Sequence, residues 1–223
     1  MTRREAILIG LGLPLLGSDQ KEFWNETKPA DWTEDERSQI LTHSPWARAA
    51  DAKFNAGPGS LGNPRGSMVT RSGRVIPGMG APGSAPGPGQ MDSTVRWESA
   101  LPVREAERTK SKDDPAAHYI LSITGDLPGI GRATDETDDE YESRLDNLKQ
   151  YTRLEKKGDP IYLVKIGYQP GKATDSGMRF YFERNDLITL HDGSVTFVTK
   201  LGPIDVKCKF PLKEMTYMGK LEL

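Results

Sequence analysis

At 223 residues the chain has room for one ordinary domain and not two. Hydrophobic content is 35%, with 23 Gly and 16 Pro, so part of the chain cannot bury enough apolar surface to pack. A net charge of −2 excludes the dense basic surface that nucleic acid needs, and the single cysteine, Cys208, excludes internal disulfides and cysteine-ligated clusters.

Residues 1–18 have the order of a secretory signal peptide. Arg3 and Arg4 give a positive start, Ala6 to Leu16 an uncharged apolar run, and Gly17-Ser18 small residues before polar Asp19. The apolar run is too short to span a bilayer, which takes about 20 residues. Leu15 or Leu16 falls where a cleavage site ordinarily has a small residue. The order predicts export by the Sec or twin-arginine route. It gives a mature chain that starts near Asp19, carries no membrane span and is periplasmic or extracellular.

Residues 19–56 read as a Trp-rich helical segment. Thr33-Glu34-Asp35-Glu36 is a capping box, in which the Thr33 hydroxyl accepts an orphan amide and Glu36 reaches back. The helix carries Ile40 and Leu41 and must stop before Ser44-Pro45. Trp24, Trp32 and Trp46 flank it and need a surface to dock on. The chain's own C-terminal domain is the expected surface, and a partner protein of the envelope is the alternative. Residues 57–90 hold 16 Gly or Pro and only three charges, Arg65, Arg71 and Arg74, which predicts a flexible, disordered linker.

Residues 91–223 have the pattern of a folded domain. Thr94 to Ser99 alternates as a strand that includes Trp97, Pro102 to Arg108 allows one or two helical turns, and Ala117 to Thr124 is a strand closed by Gly125. Thr137 to Lys157 is the strongest helix. It opens on a second capping box, Thr137-Asp138-Asp139-Glu140, repeats Tyr141, Leu145 and Leu148 at helical spacing, and runs to Gly158 and Pro160. Ile161 to Tyr168 is a strand. Met178, Phe180 and Phe182 alternate with Arg179, Tyr181 and Glu183. Asp192-Gly193 reads as a hairpin turn before Val195 to Lys200. Ile204, Val206, Cys208 and Phe210 alternate with Asp205, Lys207 and Lys209, and Met215 to Leu223 can add an edge strand. The expected fold is α+β: an antiparallel sheet of about five or six strands covered by one main helix, preceded by the Trp-rich helical segment and the disordered linker.

Local chemistry is sparse. Gly125 to Arg132 sits where phosphate loops sit, but Thr134 replaces the third glycine and no Gly-Lys-Ser/Thr follows. Seven acids between Asp135 and Asp146 lack the mid-loop glycine of a calcium loop and fit a solvated helix start. His43, His118 and His191 are not at metal-ligand spacing, no serine sits in a nucleophile elbow, and Cys208 alternates with core positions and should be buried and inert. No catalytic, cofactor-binding or metal-binding residue is assigned. Trp24, Trp32, Trp46 and Trp97 remain as candidate interaction anchors.

Three stretches carry a resemblance. Trp32 to Glu36 followed by Leu41 to Ala47, then Val95 to Val103, then Phe210 to Met215 with Gly219 to Leu223, resemble the signatures of a family of secreted bacterial proteins with a Gly/Pro-rich linker between the first two. The resemblance implies export and nothing catalytic. The sequence therefore points to an exported, non-enzymatic envelope or extracellular interaction or structural protein. The alternatives are a small-molecule or glycan-binding module using Tyr168 and Tyr181, and a hydrolase with a nonlocal site.

Overall fold

The computed structural model describes residues 22–54, 93–108, 115–125, 127, 135–169 and 177–223. The signal-like stretch 1–18, the linker 57–90 and nearly all of the glycine-rich loop after Gly125 lie outside the described residues.

The Trp-rich segment begins with one helical turn, α1 (Phe23–Glu26), and a 3-10 turn over Pro29–Asp31. Helix α2 (Glu34–Thr42) starts at the expected capping box: the Thr33 hydroxyl accepts from the Glu36 amide at 3.2 Å, and the Glu36 carboxylate accepts from the Thr33 amide at 2.8 Å. It ends where Ser44 donates to the Ile40 carbonyl at 2.6 Å, just before Pro45. Two short strands follow, β1 (Ala47–Ala49) and β2 (Asp51–Phe54), so this segment is not only helical. After the linker come β3 (Ser93–Trp97), helix α3 (Leu101–Glu107) with Pro102 in its first turn, and β4 (His118–Gly125). Helix α4 is Asp138–Tyr151, and the strands β5 (Arg153–Glu155), β6 (Ile161–Gln169), β7 (Gly177–Glu183), β8 (Ser194–Leu201) and β9 (Ile204–Pro211) complete the main sheet. A small separate hairpin, β10 (Thr216–Tyr217) and β11 (Lys220–Leu221), stands where one edge strand was expected.

The expected sheet of five or six strands under one main helix is wrong. Nine strands form one antiparallel sheet in the order β1-β3-β4-β7-β6-β5-β8-β9-β2. The two end strands, β1 and β2, are joined by Ala50 alone, whose amide donates to the Ser93 carbonyl at 2.9 Å. One short run of chain therefore pairs with β3 on one side and β9 on the other and draws the two edges together. The Cys208 thiol on β9 points at the Arg48 and Ala49 carbonyls across this seam, at 3.9 and 3.8 Å. The result is nearly a barrel. Twist accumulates over many strands until the apolar face meets itself, and closure removes the exposed edges. Trp97, Tyr119, Phe180, Phe197 and Phe210 fill the interior that a helix was expected to cover.

Helix α4 is shorter than the predicted 137–157 and buries only Leu148 fully. It stops at Tyr151 because Thr152 is locked. The Thr152 hydroxyl donates to the Leu148 carbonyl at 2.6 Å and so accepts from Thr199, also at 2.6 Å. Residues 153–155 then pair with both β6 and β8, an attraction that overrides local helix propensity. Asp192-Gly193 is not a hairpin turn: Asp192 ends a 3-10 turn, Leu190–Asp192, and the partners of β8 are β5 and β9 rather than β7.

The tryptophans settle on their own chain. Trp24 meets Trp46 edge-on at 5.7 Å, Phe23 links Trp24 to Trp32, and Trp32 meets Tyr217 at 6.5 Å. The Trp46 indole donates to the Glu222 carbonyl at 2.9 Å. Trp97 lies inside the barrel, edge-on to Tyr119 and Phe210. All four indoles are buried.

A candidate cleft floored by an arginine–glutamate cluster

Strand register builds the site. Arg96 of β3 lies opposite Ser122 of β4, Ser122 lies opposite Arg179 of β7, and Arg179 lies opposite Gly167 of β6. Neighbours along each strand alternate faces. Val95 and Trp97, Leu121 and Ile123, Met178 and Phe180 point into the barrel, so this row points out. Helices α2 and α3 lie beside it.

The turn after β3 adds Glu98, which is 6% exposed. One of its oxygens, Oε1, accepts from Arg96 Nε at 2.9 Å and from the Ser122 hydroxyl. The other, Oε2, is buried with no hydrogen-bond donor. Glu107, in the last turn of α3, accepts from Arg96 Nη2 at 2.6 Å. Burial and the charge of Glu98 push the Glu107 carboxyl up to about 7, against the opposing pull of Arg96 and Arg179. The two carboxylates meet on one donor: Glu98 Oε1 and Glu107 Oε1 lie 2.7 and 2.6 Å from the same Arg96 Nη2.

Arg37 ties the helices together. It is 5% exposed and donates to three backbone carbonyls: Trp32 at 3.3 Å, Glu105 at 2.8 Å, and Pro29. Its guanidinium also faces the Trp32 ring at 5.7 Å. At the outer rim Arg108 pairs with Glu34 at 2.9 Å, an exposed contact of little energetic weight. Between these groups is an open cleft of about 580 Å³, lined by Arg37, Arg96, Arg108, Arg179, Glu34 and Glu107, with Ser38, Leu41 and Thr42 on the α2 wall. Four guanidinium groups face two lining carboxyl groups, with Glu98 behind them.

The sequence-derived candidates lie elsewhere. Trp24 borders a second opening of about 400 Å³ beside His43, but its ring is buried. Trp32, Trp46 and Trp97 are packed inside the chain and line none of the described clefts. Tyr181 is only 7% exposed, beneath Lys165, whose Nζ lies 4.9 Å from the ring, whereas Tyr168 is 47% exposed. They do not form one aromatic platform. Cys208 is buried, and burial pushes its thiol up to about 12, as the alternation of β9 anticipates for an unreactive core cysteine. A third cleft, about 540 Å³, lies between α4 and the β8–β9 turn, but Arg144 there is tied to Glu136 at 2.7 and 2.8 Å. Among the described residues no three His, Cys, Asp or Glu side chains converge to hold a metal, and no helix is long and apolar enough to cross a membrane.

The cluster residues were missed because their meeting is nonlocal. The usable signal was modest: Arg96 and Arg179 are charged residues in mid-strand, each on the face opposite an aromatic. No family model matches this chain, and neither a curated protein nor a solved structure matches it.

Proposed function

We propose that the protein is an exported, non-enzymatic interaction protein of the envelope or extracellular space, and that it holds a small polar ligand in the α2–α3 cleft. The observation that carries this reading is the cleft itself: a concave space of about 580 Å³ with a few fixed polar groups converging at its base. The Met1 to Ser18 order supports export.

Binding fits better than turnover. Only Glu107 of the carboxyl pair lines the cleft, with Glu98 buried behind it. Both carboxylates are engaged by the same Arg96 Nη2, at 2.7 and 2.6 Å. A hydrolase using Glu107 as general acid is the second reading, favoured by its raised pKa.

Two measurements test the proposal. Fractionation of the native host should recover the protein outside the inner membrane, and full-length protein in the cytosol would reject export. A thermal-shift screen of envelope-derived small molecules should yield a ligand whose effect disappears in Ser38→Trp, which fills the cleft from an exposed position on α2. A ligand unaffected by Ser38→Trp would move the site elsewhere. Turnover lost in Glu107→Gln would favour the hydrolase.

A further inference from the structure

We propose that the cleft between α4 and the β8–β9 turn is a second binding site. It takes a neutral oligosaccharide, one ring of which stacks on Tyr151 while the hydroxyls meet Asn147, Ser143 and Asp139 of α4. The site is separate from the α2–α3 cleft and stands whether or not that cleft binds a ligand.

The sheet itself makes room at this point. Strand β5 separates β6 from β8 over only three residues, Arg153–Glu155. Beyond it, among the described residues, no strand lies between 163–169 of β6 and 199–201 of β8. Helix α4 packs against both strands and bridges that interval. The cleft of about 540 Å³ lies there, with α4 on one side and Lys200 and Gly202 on the other. Openings of this kind in barrels are favoured ligand sites. Asp139, Ser143, Asn147 and Tyr151 recur every four residues along α4, so they share one side of the helix and step about 6 Å along it. All four are exposed and line the cleft. Leu148 is the residue of α4 that is fully buried, so packing does not require Tyr151.

The chemistry of the lining selects the ligand. Tyr151 is 45% exposed, a large aromatic surface left open in a concave place. Lys200 Nζ stands 5.6 Å from the ring centre and holds one face, so a stacking ligand takes the other. The CH face of a sugar ring is apolar and suits an aromatic surface, while the hydroxyls around its edge need both donors and acceptors. Helix α4 supplies both. Asn147 Nδ2 donates to the Ser143 carbonyl at 2.9 Å, which leaves Oδ1 as an acceptor. The Ser143 hydroxyl donates and accepts, and the Asp139 carboxylate accepts. Charge argues against an ionic ligand. Glu140 is engaged by the Thr137 amide and hydroxyl, and Arg144 by Glu136. Asp139 and Lys200 remain, one of each sign, so an anion and a cation each meet a like charge. A wholly apolar ligand would cover Asp139, Ser143 and Asn147 without giving them hydrogen bonds.

The test is calorimetric titration of the full chain with maltotriose, with the trimer of N-acetylglucosamine, and with the acidic trimer of galacturonic acid. At least one of the two neutral trimers should bind, and more tightly than the acidic one. A preference between the neutral trimers separates plain from N-acetylated sugars. Tyr151→Ala should weaken that binding by about tenfold or more, since the stacking surface is gone, while Tyr151→Phe keeps the ring and the binding. Asn147→Ala should weaken it less. Both positions are exposed, so the denaturant midpoint should barely move in any of these variants, which separates loss of binding from loss of fold. Ser38→Trp, in the other cleft, should leave the binding unchanged. Binding of neither neutral trimer, or binding that Tyr151→Ala leaves intact, overturns the inference. Tighter binding of the acidic trimer overturns the choice of a neutral ligand. Binding abolished by Ser38→Trp would place the sugar in the α2–α3 cleft, overturning this site and not that one.

Discussion

Helix α2 opens on Thr33-Glu34-Asp35-Glu36 and helix α4 on Thr137-Asp138-Asp139-Glu140, and the two caps close with the same hydrogen bonds. The threonine amide and hydroxyl donate to the glutamate at 2.8 and 3.0 Å in α2 and at 3.0 and 2.9 Å in α4. Beyond the caps the helices differ. Over nine residues α2 buries Ile40 completely, clamps Arg37 on three carbonyls, and is bracketed by the buried rings of Trp32 and Trp46. Over fourteen residues α4 buries Leu148, with Leu145 partly covered. A cap decides where a helix starts and contributes similarly wherever it occurs. The apolar surface a helix covers decides whether the rest of the molecule depends on it.

The largest expected difference is in packing. Trp46→Ala empties a fully buried site and leaves the Glu222 carbonyl without its indole donor, for a cost of about 3–5 kcal/mol. Leu148→Ala removes the main contact of α4 and should cost about 2–3 kcal/mol, since a helix held at one point can settle into the gap. Both are read from denaturant midpoints at constant slope. Equal losses would show that α4 is as much a part of the core as α2 is.

The second difference is in sign with pH. Glu107, beside α2, ionises near 7 in the folded chain against an ordinary 4.5, so the folded state binds more protons between those values. Stability from this side is highest in acid and declines as pH rises from about 4.5 to 7. Glu140 in the α4 cap is shifted the other way. Hydrogen bonds from the Thr137 amide and hydroxyl favour its carboxylate, so its contribution is present above its unfolded value and fades as pH falls through the lowered folded one. Thermal midpoints of the wild type should fall between pH 5 and pH 8, and Glu107→Gln should flatten that decline. A decline that Glu107→Gln leaves unchanged would assign it to other groups.

How much of this could be read from the sequence follows the range of the interactions. Both caps, the strands from β6 to β9 and the burial of Cys208 rest on neighbouring residues or on period-two alternation, and all are legible. The stop of α4 at Tyr151 is not, because it depends on a hydroxyl 47 residues away, that of Thr199. The strands β1 and β2 are not, because Ala47 to Ala52 is alanine-rich and has no strand propensity of its own. Their pairing with β3 and β9 makes them strands and closes the sheet. The cleft is the least legible of all. Arg96, Ser122 and Arg179 become neighbours only through the register of three strands, and Glu107 reaches them only because α3 folds back over the row.

The smallest effect tests the comparison most directly. Thr33→Ala and Thr137→Ala each remove a hydroxyl that accepts from the third helical amide and donates to the glutamate. Each should cost its helix about 1 kcal/mol. The caps are alike, so the local loss should be alike, but where it appears should not be. In α2 the first turn is tied through Arg37 to the 3-10 turn and to α3, so it opens only with its surroundings. The loss should then appear as a lower global stability by about 1 kcal/mol, with α2 amides exchanging at the global rate. In α4 the first turn carries no fully buried side chain, so it can fray alone. Amides near Glu140 should exchange about fivefold faster in Thr137→Ala, as about 1 kcal/mol requires, while the denaturant midpoint barely moves. Native-state hydrogen exchange on the two variants separates the cases. Local fraying in both, or global loss in both, would mean that anchoring does not distinguish the two helices.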